Sequence, residues 1–215
     1  LHRHPELSFE EHRTAALVVE RLGVLGFEVE AGIGRTGVVG VLRNGEGPTV
    51  LVRADMDALP VTEATGLAYA SEVAGVAHAC GHDVHVTCLL AACEVLAASP
   101  DTWSGTLLAV FQPAEEIGAG ARAMLADGLY ERWGTPVVVL GQHVAPIPAG
   151  TLGVHAGPSF AALDNLAITL HGTGGHGSSP HTTVDPVVLA AATVLRLQTV
   201  VSREVAPSDF AVVTV

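Results

Sequence analysis

Lysine is absent from all 215 residues. Without it there is no lysine Schiff base and no P-loop lysine to hold a triphosphate, which removes two classes of chemistry at the start. Basic charge is scarce altogether: 10 arginines face 22 acidic residues, a formal net charge of −12. Phosphate backbones require a basic face, so no nucleic-acid partner is expected. No apolar run approaches the ~20 residues that span a bilayer, so no membrane partner is expected either. A Gly-x-Ser-x-Gly elbow is also missing, which argues against a serine hydrolase. The three cysteines, Cys80, Cys88 and Cys93, are odd in number and make no disulfide framework. They fit a reducing, cytoplasmic setting, with Cys88 and Cys93 inside an apolar helix as core. Half the residues are apolar and 15% are charged, the composition of a folded chain rather than a disordered one.

What is present alternates between strand and helix patterns. Ser8 to Gly26 reads as a helix, with Ser8-Phe9-Glu10-Glu11 as a capping box and Gly26 as the C-terminal stop. Ala15, Val18, Leu22 and Leu25 line one face of it. Strands are expected near 27–30 and 38–42, joined by Gly32-Ile33-Gly34-Arg35-Thr36-Gly37. That turn spells a dinucleotide-binding fingerprint, but the fingerprint works only with a helix N-terminus behind its glycines. Here Val38-Val39-Gly40-Val41-Leu42 follows, so the turn is read as a hairpin. Buried strands over 49–54, 106–111 and 136–140 alternate with helices over 86–98 and 119–126. The pattern predicts an α/β domain, a mostly parallel sheet flanked by helices. After Gly150 the character changes. A linker at 156–159 leads to a strand over 163–170, a polar loop containing His176, a helix opened by Asp185-Pro186, and a strand from Phe210. This piece has too little core for a complete domain. The expected division is 1–158 for the first domain and 159–215 for an incomplete second one.

Chemistry-bearing residues gather where the strands end. Asp55 and Asp57 follow the first buried strand, Glu115 and Glu116 the second, and His143 the third. Open α/β sheets bind ligands at those carboxyl ends. Between the first two lies His78-Ala79-Cys80-Gly81-His82-Asp83-Val84-His85, on a turn entering a helix. Gly81 lets Cys80 and His82 turn toward one point, and the helix N–H groups are expected to favour a thiolate. Cys80, His82, one glutamate and His143 supply sulfur, nitrogen and oxygen donors, a set suited to zinc or to manganese, cobalt or nickel. Two adjacent glutamates can divide labour, one binding metal while the other holds the proton of an activated water.

Six stretches, in order, carry a resemblance. They are His4-Pro5-Glu6-Leu7-Ser8-Phe9-Glu10-Glu11, Arg53-Ala54-Asp55-Met56-Asp57-Ala58-Leu59-Pro60, Ala79-Cys80-Gly81-His82-Asp83-Val84-His85, Phe111-Gln112-Pro113-Ala114-Glu115-Glu116, Gly141-Gln142-His143 and Gly174-Gly175-His176-Gly177-Ser178-Ser179-Pro180-His181. Together they resemble the M20 metallopeptidase family, in the amidohydrolase branch of hippurate hydrolases, N-acyl-amino-acid amidohydrolases and auxin-conjugate hydrolases. The resemblance implies two divalent ions (Mn²⁺, Zn²⁺, Co²⁺ or Ni²⁺) held by Cys80, His82, Glu116 and His143. It implies Glu115 as general base and Asp57 as the aspartate that steadies the site. It also implies a smaller α+β, ferredoxin-like lid that pairs two chains into a homodimer and brings His176 to the partner's active site. The substrate so implied is a small N-acyl amino acid or conjugate. Other branches carry a metal-binding histidine where this chain has Asp55, which is left without a role. The family's last ligand, a histidine near the C-terminus, lies beyond the point where this sequence stops, so the 215 residues read as the first half of a longer protein. Two alternatives stand beside this reading. One is a truncated or degenerate member that binds metal without catalysis. The other makes Cys80 a covalent nucleophile paired with His82 or His143.

Overall fold

Apolar runs bounded by glycine, asparagine and proline turns form five strands: β1 Glu28–Ile33, β2 Gly37–Asn44, β3 Thr49–Asp55, β4 Gly105–Gln112 and β5 Val138–Gly141. They make one sheet in the order β1-β2-β4-β3-β5. The protein is described by a computed structural model over residues 1–159 and 162–215, which falls into two compact units, Leu1–Ile147 and Pro148–Val215. The sheet belongs to the first.

The sheet is mixed rather than mostly parallel. The glycine turn folds β1 back on β2 as the expected hairpin, and β2 then runs antiparallel to β4. Both parallel pairs among the described residues involve β3, with β4 on one side and β5 on the other. Parallel pairing needs a crossover, and α2 (His82–Ala98) lies in the connection between β3 and β4. Reading every strand–helix alternation as parallel overlooked that a hairpin brings two antiparallel strands of its own.

Successive residues of the central strands point to opposite faces, and both faces are covered. Val38, Leu107, Ala109 and Phe111 meet Val18 and Leu22 of α1 (His12–Val24) and Val86 and Leu89 of α2. Val39, Val41, Leu108 and Val110 meet Met124 of α3 (Gly120–Ala126) and Leu129 of α4 (Leu129–Trp133). Each such side chain, fully buried, contributes roughly 1.5–3 kcal/mol by leaving water. Phe111, with no exposed surface, sits where truncation to alanine costs about 3–5 kcal/mol.

Helix ends differ from the reading of their sequence in two places. Ser8 does not cap α1, which starts at His12. The Ser8 hydroxyl instead donates to Asp57, and the carboxylate of Glu6 accepts the amides of Arg13 and Thr14 at 2.8 Å each. The stop at Gly26 is as expected. Its φ of 82° allows a Schellman closure, with Gly26 N–H on Gly23 O and Phe27 N–H on Leu22 O, both 3.1 Å. Helix α2 begins at His82, four residues before its apolar run, so His82 and His85 are helical while their rings meet Asp57 and Asp55 at the end of β3.

β5 is not a buried strand. Val138, Val139 and Leu140 are 40–53% exposed, because among the described residues β5 pairs only with β3 and has no layer over it. In the second unit, α5 (Pro186–Arg203) forms as expected, with Asp185 accepting from the amides of Val187 and Val188. The strands expected over 163–170 and from Phe210 are not formed. A strand exists by pairing, and the described residues of this unit contain only the single bridge Thr173–Val184.

Candidate metal centre

His82 lies at the centre of the site. Three groups of possible metal ligands have donor atoms within 4.8 Å of one another, and His82 belongs to each: Cys80/His82/His143, Asp55/His82/His85 and His82/Glu115/Glu116. Its ring is fully buried. Nδ1 lies 3.3 Å from Asp57 Oδ1, and Nε2 has no hydrogen-bond partner. With the Nδ1 proton given to Asp57, the lone pair sits on Nε2, 3.6–3.7 Å from carboxylate oxygens of Asp55, Glu115 and Glu116. A histidine oriented by a carboxylate on its far nitrogen is a usual arrangement for a metal ligand. Glu116 Oε1 is also buried without a hydrogen-bond partner. His143 shows the same tautomer by other means. Its Nδ1 donates to its neighbour's carbonyl, Val144 O, at 2.7 Å, leaving Nε2 to face Cys80 Sγ at 3.4 Å.

Asp57 organises the carboxylates. It accepts from Ser8 Oγ at 2.7 Å and from the amides of Glu115 and Glu116 at 3.0 Å each, besides facing His82. Burial works to raise its pKa, but these donors outweigh burial and hold it below the ordinary range. Asp55 is likewise lowered against burial, chiefly by His85 and then by Arg53, whose Nη1 lies 2.8 Å away. Glu11, fully buried, accepts the amides of Phe9 and Ala114 and the hydroxyl of Thr36. Phe9 and Ala114 have φ of 65° and 47°, so Glu11 holds two residues in left-handed backbone that is costly without glycine. Ala114 precedes Glu115 directly, and the amides of Glu115 and Glu116 that follow it both donate to Asp57.

The electrostatics suit a cation. Burial, then the charges of Glu116 and Glu115, push the Cys80 thiol up to about 11. Glu116 is raised by burial and by Glu115 and Asp57, against the pull of His82. The expected thiolate-favouring effect of the helix N-terminus is therefore outweighed by nearby carboxylates. A divalent ion reverses that balance, because it lowers the pKa of a thiol it binds. Sulfur, imidazole and carboxylate donors with unsatisfied buried atoms converging on one region fit such an ion.

Of the residues expected from sequence, Cys80, His82, Glu115, Glu116 and His143 are brought together, with Asp57 beneath them. His176 is in the second unit, exposed, its Nδ1 accepting the amide of Ser178 at 3.2 Å. Sequence reading gave His85 no role of its own, and gave Ser8 and Glu11 only that of capping a helix. Ser8 and Glu11 look like helix-capping residues, and nothing local in the sequence announces that their partners are 49 and 103 positions away. A cleft of about 710 Å³ opens beside Cys80 and His143, walled by His2, Glu63, Leu67, Tyr69 and His78. His78 is buried, and burial depresses its pKa to about 4, so it is neutral there.

Residues 51–213 match the profile of peptidase family M20/M25/M40. N-acetyl-L-cysteine deacetylase of Bacillus subtilis (strain 168) is 42% identical over 217 residues, which cover 100% of this chain and 51% of that protein. Hippurate hydrolase of Campylobacter jejuni is 44% identical over 217 residues, covering 100% of this chain and 56% of its own. The crystal structure of a dinuclear metal binding peptidase of the M20 family from Bacillus subtilis superposes with a TM-score of 0.69 at 40% identity, covering 74% of this chain and 44% of that one. The chain spans about half the length of the curated relatives it matches.

Proposed function

The chain belongs to peptidase family M20/M25/M40, and from that premise we propose that the protein is a two-metal amidohydrolase cleaving the amide of an N-acyl amino acid or a related small conjugate. The observation that carries the reading is the buried His82 ring, pinned by Asp57 at Nδ1 and presenting an unsatisfied Nε2 to two adjacent glutamates. The names of the relatives denote hydrolysis of N-acetyl-L-cysteine and of hippurate, both N-acylated amino acids, which supports the substrate class.

Cys80, His82, Glu116 and His143 are the residues to hold two divalent ions, of zinc, manganese, cobalt or nickel. When bound, such ions act as Lewis acids that make water a stronger acid and polarise an amide carbonyl. Glu115 is the proton carrier. Its carboxylate is 41% exposed, against 18% for Glu116, so it can reach a substrate and the attacking water. It takes the water's proton during attack and passes it to the departing amine, so that one carboxylate is base and then acid. Asp57 keeps both glutamates and His82 in place throughout.

The second unit supplies the rest. Residues 159–215 are the start of a lid and dimerisation domain, and His176 serves the active site of the partner chain. Because its Nδ1 accepts the Ser178 amide, Nε2 carries the proton and is available as an exposed donor for the oxyanion formed on attack. The free Cys80, Cys88 and Cys93 favour a cytoplasmic location. No helix among the described residues is long and apolar enough to cross a membrane.

The test is a panel of N-acetyl, N-benzoyl and indole-acyl amino acids, assayed with the intact protein and added Mn²⁺, Zn²⁺ or Co²⁺. Hydrolysis that chelator abolishes and metal restores is expected. Metal-loaded protein inert towards the whole panel favours a non-catalytic metal-binding chain instead.

A further inference from the structure

β5 ends at Gly141, and residues 142–147 then run exposed with neither helix nor strand. His143 belongs to that segment, yet a metal ligand has to be in a fixed place. We propose that His85, held by Asp55, is a positioning residue for His143, fixing the segment that carries it and taking no metal itself. The proposal rests on the reading of His143 as a ligand.

The geometry is a chain of hydrogen bonds. The Val144 amide donates to His85 Nε2 at 2.9 Å. His85 is fully buried in the first turn of α2, and its Nδ1 lies 2.6 Å from Asp55 Oδ1 at the end of β3. An amide can only donate, so Nε2 must be the acceptor, and the ring proton is on Nδ1, donated to Asp55. Both nitrogens are then engaged. No lone pair of His85 remains for a metal, although Asp55, His82 and His85 together make a group of possible ligands. The carbonyl of the same Val144 accepts from His143 Nδ1 at 2.7 Å, which turns His143 Nε2 toward Cys80 Sγ. Asp55 thus orients His85, His85 holds residue 144, and residue 144 orients the ligand. The two rings meet edge to face, 4.6 Å between centroids. Val144 is held on its other side as well. A Cβ at Gly81, whose φ is 82°, would lie 2.3 Å from Val144 Cγ2, so this side chain fits only over a glycine.

The consequence is preorganisation. A ligand on a loose segment loses conformational freedom when the ion arrives, which weakens binding, whereas a tethered one is already ordered. This gives the Asp55–His85 pair a part in metal affinity without contact with the ion. It also explains why an aspartate can stand at position 55: its partner is an imidazole that supports the site, not the ion.

Three variants of the intact protein test this. His85→Gln can place its Oε1 near the position of Nε2 and keep the Val144 bond. His85→Asn is too short to do so. Val144→Pro removes the amide hydrogen and leaves the buried Asp55 and His85 in place, though it also changes the side chain over Gly81 and restricts residue 143, so it is read together with the amide exchange of the His85 variants. Zn²⁺ affinity is measured by competition with a chromophoric chelator, and the number of ions at saturation by mass spectrometry. His85→Gln should bind within about threefold of the parent. His85→Asn and Val144→Pro should weaken one ion by about ten- to a hundredfold, with an unchanged number bound at saturation. Unaltered affinity in both of these overturns the tether. So does loss of one ion at saturation in both His85 variants, which would make His85 a ligand. Amide exchange of Val144 in the metal-free protein gives a readout that needs no metal. It should quicken in His85→Asn but not in His85→Gln, and equal rates in His85→Asn and the parent overturn the proposal. If the parent binds no divalent ion, the reading of the site as a metal centre fails, and the exchange result still decides the tether.

Discussion

On β3, α2 and β4 the groups around His82 stand on or next to regular elements and are braced by buried carboxylates. His82 and the amides of Glu115 and Glu116 all converge on Asp57, and Glu11 holds Ala114 just before them. Cys80 and His143 are held differently. They stand on a turn and on an exposed segment past an exposed edge strand, secured by the Val144 backbone and the fit over Gly81. The buried half obtains precision by enclosing charge, which requires that each carboxylate find several donors. The outer half stays open to a cleft of about 710 Å³, within the usual size for a small-molecule site, and so can admit substrate. On the proposed function, rigidity lies where the proton would be moved and access where the substrate would enter.

Breaking the inner half at its chemistry should have the largest effect. Glu115→Gln should lower kcat by about 10²–10⁴ while bound metal stays near the parent level, since only the proton carrier is lost. Glu116→Gln should lose metal as well. Equal metal loss in both, with the rate of Glu115→Gln intact, would reverse the assignment. His176→Ala in the second unit comes next, at about 10²–10³ in kcat for one oxyanion donor. If His176 acts across a two-fold dimer, mixing that variant with Glu115→Gln chains makes about half the dimers mixed, and these regain one working site each. No recovery, despite mixed dimers demonstrably forming, contradicts the role in trans.

Asp57→Ala tests the bracing itself. It leaves buried amides and the His82 ring without their acceptor, so unfolding in urea should show a loss of roughly 2–4 kcal/mol. A cost near that of a surface substitution would mean that the inner half is not braced as described. The smallest effect is expected on the outer wall. His2 lies 2.8 Å from Asp83 and 3.3 Å from Glu63. Burial works against its charge, but hydrogen bonds to Asp83 and Glu63 outweigh it and raise the pKa above its ordinary value. A raised histidine pKa contributes stability that is fully present below the unfolded value of about 6.5 and is lost as pH rises through the folded value. His2→Gln should therefore cost at most about 1 kcal/mol near pH 6, and less as the pH is raised past the folded value. A cost that does not change with pH removes the charge from the explanation.

The same comparison explains what could be read from the sequence. The ends of β3, β4 and β5 were legible because each apolar run stops abruptly at a polar residue of ligand type, and such runs identify themselves. The bracing was not. Ser8 and Glu11 sit just ahead of α1 and match a capping box, yet the fold turns both toward partners just past the ends of distant strands. His85 was visible within the histidine cluster, but its engagement with Asp55 and Val144 is set by β3 and by the segment after β5. The burial expected for β5 failed for a related reason. An apolar run shows what a strand could pack against, not whether a layer covers it. Among the described residues, the strands expected in the second unit likewise lacked partners to pair with.

If the inner and outer halves close on the same ions, the reactivity of Cys80 must follow the metal. In the intact protein carrying Cys88→Ser, which removes the exposed competing thiol, alkylation of Cys80 should be blocked when metal is bound, because coordination engages the nucleophile. Chelation should make Cys80 reactive, and Glu116→Gln should have the same effect at limiting metal, though it alters only the inner half. Alkylation at equal rates with and without metal would show that Cys80 binds no ion and that the site closes without its outer half.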